Sequence, residues 1–249
     1  METRVAPTVL AVETFPERVA TPEIPPFTPG PVSTEATEVE GGITVVRVET
    51  VESAETAESF ELLPRRSVAG GYQLELPLDW ADVTEETSGE VLASIGVANE
   101  GLAERMQHYS AGVLGDRTTY LAVHLNFETI FDSNTTFLAT AVVIRSDLSG
   151  PLTADEAASA IAESIEDDPS VLSPIARRSV RINNSGAVEL RFRQDIGERL
   201  DVESAEAVET MYVVTTDEHL FFLVFDIPPE LADQYAPVVE QCALSFLTS

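Results

Sequence analysis

The sequence predicts an α+β domain, an antiparallel sheet covered by helices on both faces (an α/β/α sandwich), spanning residues 67–249. Three observations predict it. In several short segments apolar and polar residues alternate, as in half-buried strands. In three others the apolar residues recur every three or four positions, the period of amphipathic helices. One segment, Leu220–Phe225, is apolar on both faces and so belongs inside a sheet with a layer on each side.

Gly70-Gly71 opens the domain. Tyr72, Leu74 and Leu76 alternate with Gln73 and Glu75, a strand that Pro77 ends, and Trp80 follows. From Thr87 the period turns helical. Val91, Leu92, Ile95, Leu102, Met106 and Tyr109 predict a helix over about Ser88–Ser110, with Thr87 and Glu90 as a capping box and Gly96 and Gly101 as weak points. Strands are expected near Thr119–Phe127 and Phe137–Arg145. Thr153 and Glu156 have capping-box spacing for a short helix carried by Ala157, Ile161 and Ile165, which ends before Pro169.

A hairpin is expected between Arg177–Ile182 and Val188–Arg193. A five-residue loop, Asn183–Ala187, sets Ile182 opposite Val188 and Val180 opposite Leu190, so apolar faces agree. A four-residue loop would set Arg181 opposite Val188. Strands Glu209–Thr215 and Leu220–Phe225 meet at an Asp217-Glu218 turn. Pro228-Pro229 starts a terminal helix with Leu231, Tyr235, Val238, Cys242 and Phe246 on one stripe and a kink at Pro237.

Residues 1–66 differ in composition. They hold 8 of the 15 prolines, 12 Glu and no Asp. Proline at that density blocks helices and central strands, which predicts a disordered acidic spacer. Within it Ile43–Val51 is β-prone, with the propensity to pair with a sheet edge.

Charge limits the partners. There are 43 Asp and Glu against 14 basic residues, all of them Arg, for a net charge of −29. Such a field repels phosphate backbones and anionic headgroups, so neither nucleic acid nor membrane insertion is expected. The absence of Lys fits either a GC-rich coding bias or adaptation to high salt. No basic-then-apolar signal opens the chain, and its most apolar run is far short of a membrane span. This predicts a cytoplasmic protein, or an extracytoplasmic one if the true start lies upstream.

The Tyr72-Gln-Leu-Glu-Leu-Pro77 start with Trp80, the closing hairpin and the ending Leu244-Ser-Phe246 resemble the Mog1/PsbP-like superfamily over roughly residues 70–249. The resemblance implies the same α/β/α sandwich and a mostly non-enzymatic role, since members serve as photosystem II accessory subunits, a nuclear-transport GTPase cofactor and envelope lipoproteins. The chain departs from the lipoprotein members in lacking an N-terminal cysteine to acylate. No functional residue of the family carries over.

No catalytic motif is visible. His108, His124 and His219 fall on a predicted helix, strand and turn, without metal-ligand spacing. Glu85-Glu86 and Asp167-Asp168 read as solvated or capping acids at helix ends, and Cys242 as a buried thiol. Asn134-Thr-Thr136 and Asn183-Asn-Ser185 match glycosylation sequons, which here indicate surface loops.

One cluster stands out. Arg177, Arg178, Arg181, Arg191 and Arg193 all lie in the one predicted hairpin. In the expected register Arg181 faces Glu189 while Arg177 and Arg193 face each other, an unfavourable pair unless an anion or an acidic partner lies between them. The competing reading is that nearby acids screen them. The sequence therefore predicts a monomeric, non-enzymatic binding or accessory domain with a protein partner and no metal or cofactor. The alternative is an enzyme or small-molecule carrier with a pocket between sheet and helix.

Overall fold

The computed structural model describes residues 62–67, 71–84, 86–114, 117–183 and 185–248. The chain divides into two units, Met1–Ser53 and Ala54–Ser249. All described residues belong to the second. The Ile43–Val51 segment and the rest of the expected spacer before Leu62 lie outside them.

Among the described residues there are ten strands: β1 (Leu62–Ser67), β2 (Tyr72–Pro77), β3 (Trp80–Asp82), β4 (Thr118–His124), β5 (Thr140–Asp147), β6 (Ala176–Ile182), β7 (Ser185–Asp195), β8 (Glu206–Thr215), β9 (His219–Ile227) and β10 (Leu247–Thr248). The helices are α1 (Ser88–Ala98), α2 (Glu100–Val113), α3 (Phe127–Phe131), α4 (Ala154–Ile165), α5 (Gly197–Leu200) and α6 (Ala232–Ser245). A 3-10 turn, Pro229–Leu231, leads into α6, which continues through Pro237.

Seven strands form one antiparallel sheet in the order β3-β4-β5-β9-β8-β7-β6, and β1-β2-β10 form a second, smaller one. As its two apolar faces require, β9 lies at the centre of the large sheet. On one face Phe221, Leu223 and Phe225 pack with α6 and with Tyr72 and Leu74 of the small sheet. The Tyr72, Phe221 and Phe246 rings meet there at centroid distances of 5.3–5.9 Å. On the other face Val224 and Phe222 pack with Leu102, Met106 and Tyr109 of α2, and Phe222 also borders the cluster under α4. Burying one such side chain stabilises by about 1.5–3 kcal/mol. The antiparallel sheet with helices on both faces is the expected class.

Several local expectations need correction. The ordered domain starts earlier than residue 67, because β1 pairs with β2 from Leu62↔Pro77 to Ser67↔Tyr72. Pro64 is tolerated because β1 is an edge strand among the described residues. The single long helix is two. Asn99 is extended (φ −152°, ψ 91°) and its side chain accepts from the Leu102 N–H, so the break falls at an N-cap and not at either glycine. Thr87 makes no capping bond to α1, and its hydroxyl donates to the Asp82 carbonyl instead. The Thr153–Glu156 capping box at α4 is complete.

The hairpin register also differs. Ile182 pairs with Ser185, Arg181 with Gly186, Arg178 with Glu189 and Arg177 with Leu190. The loop is two residues long, not five, because Asn183 adopts a left-handed φ of 43° that makes a tight turn available. The shift of three residues reverses which face each side chain of β7 takes. Val188 and Leu190 turn to α4, and Ala187 turns to α6 with Ile182.

Candidate functional site

The shifted register decides what the arginine hairpin builds. By strand alternation Arg178 on β6 and Glu189, Arg191 and Arg193 on β7 project to the α6 side, while Arg177 projects to the α4 side. Arg177 and Arg193 therefore do not face each other, and Arg181 does not face Glu189. Arg177 bonds the Asp155 carboxylate at 2.6 Å, the Asp155 carbonyl at 2.8 Å and the Ser159 hydroxyl at 2.8 Å, tying β6 to α4. Arg193 pairs with Glu206 on β8. Arg181 is exposed opposite the bare backbone of Gly186 and has no ion-pair partner among the described residues.

The α6 side holds a cleft. Its walls are β7 and β8 on one side and Ala232–Glu240 on the other, and it encloses about 320 Å³. Arg178, Glu189, Arg191, Thr210, Tyr212 and Glu240 bring polar groups to it, over an apolar floor that includes Val208 and Ile227. Arg178 bridges the two acids, donating to Glu189 at 2.6 Å and to Glu240 of α6 at 2.9 Å. The bonds it donates to both carboxylates raise its pKa further above the ordinary guanidinium value, so it is a permanent cation. Burial, with Glu189 beside it, pushes the Tyr212 phenol well above its ordinary value and keeps it a neutral donor.

Arg191 is the unmatched group. Its cross-strand neighbours are Ala176 on β6 and Thr210 on β8, neither of which can neutralise it. It is half-buried in the cleft wall and has no ion-pair partner among the described residues. Asn183 holds the far end of the hairpin, donating to the Leu244 and Phe246 carbonyls at 3.1 and 2.6 Å where α6 ends. Hairpin and helix are thus clamped at one end by Asn183 and midway by the Arg178 bridge, which fixes the cleft between them.

The other candidates are placed as follows. Cys242 is fully buried, and burial pushes its thiol up to about 12, which leaves it an inert core group. His108 lies 3.8 Å from Asp201 and His219 beside Asp147. His124 is buried, with Nε2 at 2.7 Å from Asp79 and Nδ1 at 2.6 Å from the Tyr235 hydroxyl, which pins β4 to α6. Among the described residues no group of three or more His, Cys, Asp or Glu is placed to hold a metal ion. Asp168 caps a local turn, accepting from the Ser170 N–H. The Asn183 sequon is tied down by its side-chain bonds, and Asn134 is exposed.

Sequence reasoning found the hairpin but missed Thr210, Tyr212 and Glu240, which join Arg191 only through the register and the docking of α6. It also missed Glu209 and Asp226. Both are carboxylates at the apolar-parity positions of β8 and β9, a signal that was present in the sequence.

The sequence matches no protein-family profile and no curated protein sequence. Among solved structures the chain is similar to cyanobacterial PsbP from Synechocystis sp. PCC 6803, at 11% identity over 80% of this chain and 99% of that one, with a TM-score of 0.45. It is similar to LpqN of Mycobacterium tuberculosis, involved in cell envelope biogenesis, at 11% identity over 76% of this chain and 91% of that one, with a TM-score of 0.47. A protein of unknown function from Pseudomonas aeruginosa shares 10% identity over 76% of this chain and 97% of its own, with a TM-score of 0.40. These likenesses, the PsbP-like one included, concern the layout of the chain and carry no information about its role.

Proposed function

We propose that this protein is a non-enzymatic accessory domain that captures an acidic group of a protein partner in the cleft between α6 and the β7–β8 face. The observation that carries this reading is Arg191, a half-buried guanidinium without an ion-pair partner among the described residues, in a chain of net charge −29. In so acidic a protein a cation left unmatched has few competitors for an incoming carboxylate, and its planar fork can hold one with two hydrogen bonds. The cleft volume of 320 Å³ lies at the low end for ligand sites and suits one acidic side chain better than a large cofactor. Arg178 serves as scaffold, because its charge is already spent on Glu189 and Glu240.

The converging polar walls also favour a second reading, a carrier for a small free acid. One titration separates the two. An acetylated hexaglutamate peptide, and separately citrate and inorganic phosphate, are titrated into the full chain and into Arg191→Gln by calorimetry at physiological ionic strength, where the repulsion of the −29 chain is screened. The peptide is expected to bind, and Arg191→Gln to weaken it by tenfold or more, in line with about 1.5–3 kcal/mol for a charged hydrogen bond. Tight binding of citrate or phosphate with none of the peptide would favour the carrier. Equal affinity of Arg191→Gln and the native chain for every probe would dismiss the cleft as a site.

A further inference from the structure

On the opposite face of the sheet from the cleft, two acids meet where a core residue is expected. Glu209 of β8 and Asp226 of β9 are cross-strand partners, 3% and 1% exposed, on the face covered by α2 and α5. One oxygen of Asp226, Oδ2, is fully engaged. It accepts from the Tyr109 hydroxyl of α2 at 2.6 Å and from Nη1 of Arg199 on α5 at 3.1 Å. The other, Oδ1, is buried with no donor, and so is Oε2 of Glu209, which is 3.6 Å from Nη2 of Arg199.

Two buried carboxylate oxygens without donors would each carry an uncompensated desolvation penalty if both acids were ionised. A single proton resolves both. If Glu209 is protonated, its O–H donates to Asp226 Oδ1, Asp226 stays charged against Arg199, and the buried cluster is neutral overall. We propose that Glu209 and Asp226 form a proton-binding carboxyl pair, loaded with one proton at neutral pH, that latches α2 and α5 to the centre of the sheet.

The surroundings fit that role. Burial first, and the neighbouring Asp226 second, push Glu209 up to about 8, against the opposing pull of Arg199. Burial and Asp226 also hold Tyr109 far above the phenol range, so it remains a donor, with Thr140 of β5 at 2.8 Å on its hydroxyl. Among the described residues, other charged or titratable groups on the elements around the cluster include Glu198 on α5, Asp195 at the start of the α5 loop, Asp168, which acts on Arg199 at longer range, and the exposed His108–Asp201 pair between α2 and the end of α5. Gln194 of β7 accepts from Arg199 at 3.1 Å.

The α5 segment is built to present Arg199. Asp195 accepts from the Gly197 and Ala205 N–H groups and from the Ser204 hydroxyl, which closes the loop. Gly197 has no room for a side chain, since a Cβ there would lie 2.8 Å from the Ser204 backbone. The Arg199 side chain is 36% exposed, so the cluster reaches solvent through it.

The sign of the pH effect follows. The folded chain keeps a proton that an unfolded Glu releases above about 4.3. Stability is therefore fullest in mild acid and declines as pH rises through about 8, where the latch loses its proton.

The test uses the full chain. Infrared difference spectra between pH 6 and pH 9.5 should show one protonated carboxyl band that disappears at the higher pH and is missing from Glu209→Gln. Urea unfolding should show the native chain losing at least tenfold in its folding equilibrium constant between pH 5 and 8.5 relative to Glu209→Gln, whose amide donates to Asp226 at any pH. Asp226→Asn serves as the second variant and should lack the band as well. If neither variant folds, the band in the native chain decides. Absence of a protonated carboxyl at pH 6 overturns the proposal, and so do parallel pH profiles for the native chain and Glu209→Gln.

Discussion

Asn183 offers a test of the clamp that shapes the cleft. Its backbone is left-handed (φ 43°) and its side chain donates to two carbonyls at the end of α6. Replacing it with alanine removes two hydrogen bonds, each contributing about 1 kcal/mol net, less for the more exposed of the two. Alanine also has to adopt the left-handed region, at a cost of roughly 1–2 kcal/mol. Asn183→Ala should therefore lose about 2–4 kcal/mol. Asn183→Gly loses the same hydrogen bonds without the backbone strain and should lose about 1–2 kcal/mol. Urea unfolding with an unchanged m-value measures both. If glycine costs as much as alanine, the turn does not need a left-handed residue. If both stay within about 0.5 kcal/mol of the native chain, the tie to α6 contributes nothing and the two-point clamp is wrong.

Thr153→Ala should cost about 1 kcal/mol by opening the capping box of α4. Hydrogen bonds from the Thr153 N–H and hydroxyl hold the exposed Glu156 carboxylate below its ordinary range, so its small contribution is present at neutral pH and fades in acid. A pH titration of Glu156 by NMR should show the value in Thr153→Ala rising part of the way toward the ordinary range, because the variant loses the hydroxyl but keeps the backbone N–H that bonds the carboxylate. The melting temperature should rise from low to molar sodium chloride, because added salt screens the self-repulsion of a −29 chain. A flat or falling trend would refute the view that surface charge limits its stability.

The architecture was legible wherever burial alone dictates pattern. Phe221–Phe225 reads as a doubly covered strand because the two layers leave no polar parity, and β9 lies at the sheet centre. Thr153 and Glu156 read correctly because a capping box is a local interaction. The hairpin misled for a nonlocal reason. Pairing Val188 and Leu190 with Ile182 and Val180 satisfies the apolar match between two strands considered alone. In the fold β7 is covered on both faces, so Val188 and Leu190 meet α4 while Ala187 meets α6, and a left-handed Asn183 closes the shorter loop. The break at Asn99 depends on its side chain bonding both Leu102 and the distant Ile130, which no window around the helix contains. The cleft was half legible. Its arginine was visible as charge density, but Thr210, Tyr212 and Glu240 arrive through pairing and docking.

The outermost strand of the large sheet has a consequence for solubility. Among the described residues β6 has β7 on one side and no strand on the other, and such an edge is a template on which a second chain can extend the sheet. Three of its seven residues are arginines, and Pro174 lies just before it. A stranger's strand laid along this edge would meet a row of guanidiniums, two of them already committed to Asp155, Glu189 and Glu240. Arg177, Arg178 and Arg181 thus guard the sheet against growth from copies of itself, a protection that acidic residues elsewhere on the surface cannot give because they do not border the open backbone.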